Sequence, residues 1–154
     1  MGKTIKTVQN SMFIGEYTYS IDEKRRMAVP AKFRKDLGKE AVVTRGIDTC
    51  LAIYALSEWQ KSGEKLQNLS EAREEARSYV RLRLSGATNV DFDKLGRILI
   101  PDYLIKYAQL KKNVVIIGLG NRVEVWDKKI WETYKAKAEN QVGSMAERLE
   151  ELGV

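Results

Sequence analysis

Two stretches of the sequence match in register and decide the fold: Asp22-Glu-Lys-Arg-Arg26-Met-Ala-Val-Pro30 and, 71 residues later, Asp93-Lys-Leu-Gly-Arg97-Ile-Leu-Ile-Pro101. In both, an Arg follows an Asp by four residues, and an apolar segment joins that Arg to a Pro. After one inserted residue, the match continues as far as Trp59 and Trp131. Such an ordered series of coincidences indicates a tandem duplication, so each half is expected to build the same unit.

The pattern inside the first copy predicts short strands and a short helix. Residues 13–21 alternate apolar and polar types and favour aromatic and β-branched ones, as a half-buried strand does. A polar turn over 22–25 leads to a returning strand over 26–29, which Pro30 ends because it cannot donate to a sheet. Proline also suits a helix start, so a helix is expected over 31–37, ended by the glycine that follows.

The remainder of each copy is predicted to be two strands and a helix. In the first copy the strands cover 41–44 and 50–54 and the helix starts at about Glu58, with Ser57 placed to cap it. The second copy repeats this order up to a terminal helix from Asp127.

A further helix is expected between the copies, over 70–84, capped by Ser70 and ended near Gly86. Each copy offers only short strands, and its first hairpin has an unpaired edge that something must cover. The predicted fold is therefore α+β, with two intertwined modules rather than two isolated ones.

Composition restricts the class of function. The chain has 154 residues, 44% hydrophobic and 31% charged, which suits a globular protein. It has no histidine, which excludes serine–histidine and cysteine–histidine nucleophiles, and carboxylates plus Cys50 are a poor set of zinc ligands. No apolar run is long enough to span a membrane, and one cysteine cannot form an intramolecular disulfide. We expect a cytoplasmic protein without catalytic residues, metal or cofactor.

Positive charge is concentrated beside the repeated turns. The net charge is +6, with eight Lys/Arg against four Asp/Glu over 22–45 and five against two over 93–112. The rest of the chain is therefore close to neutral. A basic patch of this kind is what a nucleic-acid partner requires.

The turn tips are the candidate DNA-binding residues: Lys24, Arg25 and Arg26 in the first copy, and Lys94 and Arg97 in the second. Arginine binds phosphate or the O6/N7 edge of guanine with two donors, and a two-stranded ribbon can enter a major groove. The alternative is that the two motif arginines form stabilising ion pairs and nothing more.

Five positions are interpreted as structural residues of the turn and hinge: Asp22, Pro30, Asp93, Gly96 and Pro101. An Asp four residues before the Arg is able to pair with it and fix its direction, or to accept bonds from turn N–H groups. For both aspartates this role is favoured over contact with DNA.

Other features are assigned ordinary roles. The arginines spaced by four on the connecting segment are interpreted as an ion-paired solvent face: Arg73, Arg77 and Arg81. The tryptophans are interpreted as core residues rather than stacking platforms: Trp59, Trp126 and Trp131. Cys50 is expected to be a buried small hydrophobe.

Together with Met12-Phe-Ile-Gly-Glu-Tyr17, the two motif stretches closely resemble the MraZ family, and the resemblance runs from Met12 nearly to the C-terminus. It implies two swapped-hairpin modules of the AbrB type, assembled into a ring-like homo-oligomer at the nucleoid. It also implies control, as a repressor, of the cell-division and cell-wall gene cluster through direct repeats of promoter duplex DNA. On this resemblance Lys24, Arg26 and Arg97 contact DNA.

Two departures from the family pattern stand out. Arg25 stands where the family has glycine before the first motif arginine, whereas the second copy keeps Gly96. Either the first turn has another conformation, or strain is tolerated because Arg25 adds a phosphate contact. The second departure is an extension over 1–11, which carries Lys3 and Lys6.

The duplication predicts five segments: the extension over 1–11, a first module over 16–58, a linking helical segment over 59–86, a second module over 87–130 and a C-terminal helix over 131–154. Two non-DNA alternatives stay open. One is an oligomeric protein-interaction module resembling an AbrB-type antitoxin, and the other is an enzyme that works without histidine.

Overall fold

The computed structural model describes residues 12–154, so the extension over 1–11 lies outside it. The architecture is α+β, as predicted. The strands are β1 (Phe13–Ser20), β2 (Arg26–Ala28), β3 (Ala41–Arg45), β4 (Leu51–Ala55), β5 (Thr88–Val90), β6 (Arg97–Leu99), β7 (Asn113–Gly120) and β8 (Val123–Asp127). The helices are α1 (Ala31–Leu37), α2 (Leu56–Gln67), α3 (Glu74–Ser85), α4 (Asp102–Ala108) and α5 (Lys128–Glu151).

Strands from the two copies share their sheets. A six-stranded antiparallel sheet has the order β1-β7-β8-β4-β3-β5, and a separate two-stranded sheet pairs β2 with β6. The first strand of each copy thus pairs with the third strand of the other, β1 with β7 and β5 with β3. Neither half closes its own sheet, because the reciprocal pairing runs between them.

The first predicted hairpin has its turn but not a ladder of its own. Strands β1 and β2 are joined only by the bridge between Ile21 and Met27, and each then pairs with the second copy. Aromatic packing holds β1 in place, since Phe13 and Tyr17 make edge contacts with Phe33 at centroid distances of 5.6 and 5.4 Å. The edge left open by a short hairpin is therefore covered by the other copy.

The core repeats with the sequence. Positions 71 residues apart are buried in both copies, and they belong to one hydrophobic cluster. These pairs are Met27 with Ile98, Val29 with Ile100, Phe33 with Leu104, and Leu37 with Ala108. Because each module alone would bury little apolar surface, the shared cluster supplies the core that a half-length unit lacks.

The prolines divide strand from helix as expected. Strand β2 ends before Pro30, which precedes the first residue of α1, and Pro101 has the same place before α4. Both prolines are extended, with ψ near 140°, so they occupy the N-cap rather than the first helical position. The helix α1 ends at Gly38, where φ is +77°.

The predicted caps of the middle helices are wrong. Helix α2 begins at Leu56, directly after β4, so Ser57 lies inside the first turn and no side chain caps the helix. Helix α3 begins at Glu74 rather than at residue 70. Ser70 instead accepts a hydrogen bond from the N–H of Ala72 at 3.2 Å, because a serine satisfies a local turn as readily as a helix start.

The ends of the other helices follow prediction. Helix α3 ends at Gly86, and Asp127 caps α5 by accepting from the N–H groups of Lys129 and Ile130. Within residues 12–154, no helix has both the length and the apolar character needed to cross a bilayer.

Candidate nucleic-acid interface

The first motif turn is built around the carboxylate of Asp22. One oxygen accepts from the backbone N–H groups of Lys24 and Arg26, at 2.8 and 2.9 Å. The other accepts from Nε of the Arg26 side chain at 2.9 Å. Both predicted roles of the aspartate thus occur together, since it closes the turn and orients the arginine.

The second turn repeats this geometry atom for atom. One oxygen of Asp93 accepts from the N–H groups of Leu95 and Arg97, both at 2.9 Å, and the other from Nε of Arg97 at 2.9 Å. The same Asp-to-Arg spacing therefore produces the same hydrogen-bonded turn in both copies.

Hydrogen bonding lowers the pKa of both carboxyls. The main cause is the backbone N–H of Arg26 for Asp22 and that of Arg97 for Asp93, each donated to the ionised form. Both aspartates are therefore charged at neutral pH, and each faces its arginine as a carboxylate.

Pairing of β2 with β6 brings the two turns side by side. Arg26 lies opposite Leu99, and Arg97 lies opposite Ala28. The Nη1 atom of Arg97 is 3.7 Å from the Asp22 carboxylate, so the first aspartate faces both motif arginines. The result is a single surface to which both copies contribute.

The terminal amino groups of the two motif arginines keep donors available for a ligand, although Nη1 of Arg97 lies at ion-pair distance from Asp22. Each uses Nε for its aspartate, and their side chains are 35% and 26% exposed. Among residues 12–154, no acceptor forms a hydrogen bond with the terminal amino groups of Arg26 or Arg97. Lys24 and Lys94 are exposed and form no ion pair within the same range.

Arg25 has a left-handed backbone conformation, which glycine adopts more easily than other residues. Its φ is +63°, against +77° at the equivalent Gly96, so the two turns have the same shape. The alternative in which the first turn differs is therefore wrong. The Arg25 side chain is exposed but bends back, and its Nε donates to the carbonyl of Ile100 at 3.3 Å.

Arg34 of α1 lies against the second motif turn, and the sequence did not predict this contact. Its Nη1 donates to the carbonyl of Val29 at 2.9 Å, and its guanidinium fills the space that a Cβ at Gly96 would need. The spacing within one copy gave no sign of this, since the contact joins α1 of one half to the turn of the other.

Two of the three arginines predicted to form an ion-paired face do so, whereas Arg81 is exposed and has no ion pair among residues 12–154. Arg73 pairs with Glu75 at 3.1 Å and Arg77 with Glu74 at 2.6 Å on the solvent face of the connecting segment. Trp126 is 2% exposed and packs against Trp131. Within residues 12–154, no group of His, Cys, Asp or Glu is placed to hold a metal ion.

Trp59 packs beside Tyr54 at a centroid distance of 5.4 Å. Cys50 is fully buried, and burial raises the pKa of its thiol to about 12. Trp59 is half-buried rather than a core residue, and the raised pKa keeps Cys50 a thiol at neutral pH.

Comparison with known proteins agrees with the duplication. The model of the family described as "MraZ protein, putative antitoxin-like" matches residues 12–82 and again 84–151. The transcriptional regulator MraZ of Halothermothrix orenii is 48% identical over 143 residues, which are 93% of this chain and 100% of that protein.

Two further relatives with the same name cover the same shares of both chains. The protein of Desulfitobacterium hafniense is 47% identical, and that of Acetivibrio thermocellus is 46% identical.

Proposed function

The chain belongs to the MraZ family, and on this premise we propose that it is a transcriptional regulator that binds duplex DNA through the turns of its two repeats. The relatives are named as regulators, and the family is not one of enzymes. The observation that carries the proposal is the pair Arg26 and Arg97, each held by an aspartate through Nε while its terminal amino groups form no hydrogen bond among residues 12–154.

This arrangement prepares each arginine for DNA before DNA arrives. An aspartate at Nε fixes the plane and direction of the guanidinium, so less side-chain freedom is lost on binding. The two terminal amino groups are then available to donate to O6 and N7 of one guanine, or to phosphate oxygens. A two-stranded ribbon such as β2–β6 is narrow enough to present them inside a major groove.

The residues at the tips extend the contact surface. We propose that Lys24 and Lys94 bind phosphates, and that Arg25 adds a weaker phosphate contact because its Nε is already taken by a carbonyl. In the repeat, Leu95 stands where the first turn has Lys24, and it is 70% exposed. An exposed leucine beside an arginine suits contact with a thymine methyl group.

The resemblance to the family also supports the finer assignments. We propose that the reciprocal strand pairing is the hairpin exchange of AbrB-type modules, and that the sites are direct repeats in promoter DNA. On the same ground the regulated genes are the cell-division and cell-wall cluster, the effect is repression, and the protein works at the nucleoid in the cytoplasm.

A ring-like homo-oligomer fits the exposed edge of the large sheet. Strand β1 is an edge strand, and Ile14 and Leu119 face each other across β1 and β7 while 56% and 39% exposed. Met12 beside them is 69% exposed. Exposed edges of this kind invite pairing with another chain. Light scattering of the parent and of Ile14→Lys tests this, since loss of higher assembly is expected in the variant.

Anisotropy titration with labelled duplex DNA tests the main proposal. The probes are the region upstream of the gene and a scrambled duplex of equal length and composition. Arg26→Ala and Arg97→Ala should each weaken binding to the upstream probe by roughly 5- to 150-fold, since a direct base contact contributes about 1–3 kcal/mol. Lys24→Ala should weaken binding to both probes alike and reduce the salt slope by about one.

Arg73→Ala is the matched control, because it removes the same charge from an exposed ion pair on the connecting segment. If Arg26→Ala and Arg97→Ala bind the upstream probe no more weakly than Arg73→Ala, the assignment fails.

The family description also names an antitoxin-like character, which favours a protein ligand as second candidate. Stoichiometric co-purification of one partner, without affinity for either duplex, would support that alternative and reject DNA binding.

A further inference from the structure

A cavity of about 330 Å³ lies between α2, α3, β4 and β8, lined by side chains from both copies. Its polar lining consists of Tyr54, Ser62, Lys65, Tyr79, Arg83, Arg122 and Glu124, with leucines of α2 and the segment after it on the apolar side. Its volume lies at the lower end of the range for small-molecule sites. The motif turns do not contribute to this cavity.

Arg83 is the unusual member of this lining. It is only 7% exposed, yet among residues 12–154 no carboxylate lies within ion-pair distance of it. Its two terminal nitrogens donate to neutral groups, the hydroxyls of Tyr79 at 2.9 Å and of Tyr54 at 2.8 Å, and its buried Nε has no acceptor. A buried cation without a counter-charge is costly, so an anion beside it would be stabilising.

Glu124 does not supply that anion. One of its oxygens accepts from Nε1 of Trp126 at 3.0 Å, and the other pairs with Arg122 at 3.4 Å. Three cationic side chains therefore line the cavity against one carboxylate, and that carboxylate is already engaged.

We propose that this cavity binds a small organic or inorganic anion through a carboxylate or phosphate group. Each tyrosine hydroxyl accepts from the guanidinium, so its own proton is free to be donated to a ligand in the cavity. Donation is strengthened because the buried charge polarises both hydroxyls. Lys65 and Ser62 add donors at the same cavity, and the leucines suit a short apolar portion of the ligand.

The second copy shows that the fold does not need this cation. Trp126 stands at the position equivalent to Tyr54, and its indole bonds to Glu124 instead of to an arginine. The second copy has the single helix α5 after β8, whereas the first copy has α2 and α3 with a loop between them. Beside Trp126 no arginine takes the place that Arg83 has beside Tyr54, so the buried cation distinguishes the first half, although both halves line the cavity.

Calorimetric titration of the full chain with inorganic phosphate and with butyrate, at constant ionic strength set by chloride and without DNA, tests the proposal. Saturable binding of either anion, at one site per chain, is expected. Tyr79→Phe removes one donor and keeps the cation, and it should weaken binding roughly tenfold or more. Arg83→Gln should abolish binding, whereas Arg81→Gln, on the exposed face of the same helix, should leave it unchanged.

Circular dichroism identifies any variant that fails to fold. If Arg83→Gln does not fold, the affinity of Tyr79→Phe for the anions tests the proposal. If neither anion binds, or if Tyr79→Phe binds as tightly as the parent, Arg83 only anchors α3 and the proposal is overturned. Because the titration contains no DNA, its result is separate from that of the DNA-binding test.

Discussion

The two halves place a guanidinium on equivalent carbonyl groups by different routes. Arg25 donates to the carbonyl of Ile100 from its own turn, at 3.3 Å, whereas Arg34 donates to the equivalent carbonyl of Val29 from helix α1, at 2.9 Å. Gly96, the equivalent of Arg25, leaves the room that the Arg34 guanidinium occupies. The absence of a side chain at Gly96 and the position of the Arg34 guanidinium are thus coupled. We expect a substitution at one of these residues to be tolerated better when the other is substituted as well.

Gly96→Arg alone should be destabilising by about 2–3 kcal/mol. A side chain at φ +77° costs roughly 1–2 kcal/mol. Its Cβ also displaces Arg34, which loses a hydrogen bond contributing about 1 kcal/mol. Arg34→Ile alone loses only that bond, about 1 kcal/mol. In the double variant the introduced arginine takes over the Val29 carbonyl, as Arg25 does at Ile100, so only the backbone cost of about 1–2 kcal/mol remains.

A double-mutant cycle measures this coupling. Urea unfolding followed by tryptophan fluorescence, at one fixed protein concentration, should give an interaction free energy of about 2 kcal/mol between Gly96→Arg and Arg34→Ile. The control is Lys32→Ile, an exposed position on the same helix, which should combine additively with Gly96→Arg. Additive effects of Gly96→Arg and Arg34→Ile would refute the reasoning.

Three further outcomes are expected. Gly118→Ala should be destabilising by about 3 kcal/mol or more, because its Cβ would clash with the backbone of β1. Gly143→Ala on α5 has open space around the new Cβ and should be stabilising by up to about 1 kcal/mol. Thermal unfolding of both variants measures the difference. The folded state lowers the pKa of Asp22 and of Asp93, so their carboxylates stabilise the fold at pH values above the unfolded pKa of 3.8. This stabilisation is lost as the pH falls through the folded pKa values. The free energy of unfolding of the double variant Asp22→Asn/Asp93→Asn should therefore fall less steeply than the parent's below pH 3.8. Cys50, with its pKa raised to about 12, should resist alkylation at pH 8 in the native protein and react quickly after denaturation, as a thiol-reagent time course would show.

The sequence predicted the local units well, because each rests on signals that lie close together in the chain. An Asp four residues before an Arg contains the whole hydrogen-bonding pattern of the turn, and its repetition made Asp22 and Asp93 identifiable before any coordinates. Pro30 and Pro101 separated strand from helix because proline restricts its own backbone.

Contacts between the halves could not be predicted in the same way. The pairing of β1 with β7 depends on which apolar face is left open after both copies fold, and periodicity within one strand does not contain that information. Arg34 and Gly96 are 62 residues apart, and only the tertiary fold makes them neighbours. The predicted caps at Ser57 and Ser70 were wrong because serine near a helix start occurs in turns and in the first helical turn as well as at the N-cap.

If the turns bind DNA as proposed, the differences between them bear on the symmetry of the sequence that one chain would recognise. A protein with exact two-fold symmetry presents identical tips and matches a palindrome. Here the halves share the aspartate–arginine unit but differ beside it, with Lys24 and Arg25 in the first turn against Leu95 and Gly96 in the second. Two unlike tips on one surface present unlike donors and apolar groups, so a DNA element bound by both would have a direction. Copies of the chain that stand in the same orientation would then require elements in the same orientation, which is the arrangement of direct repeats.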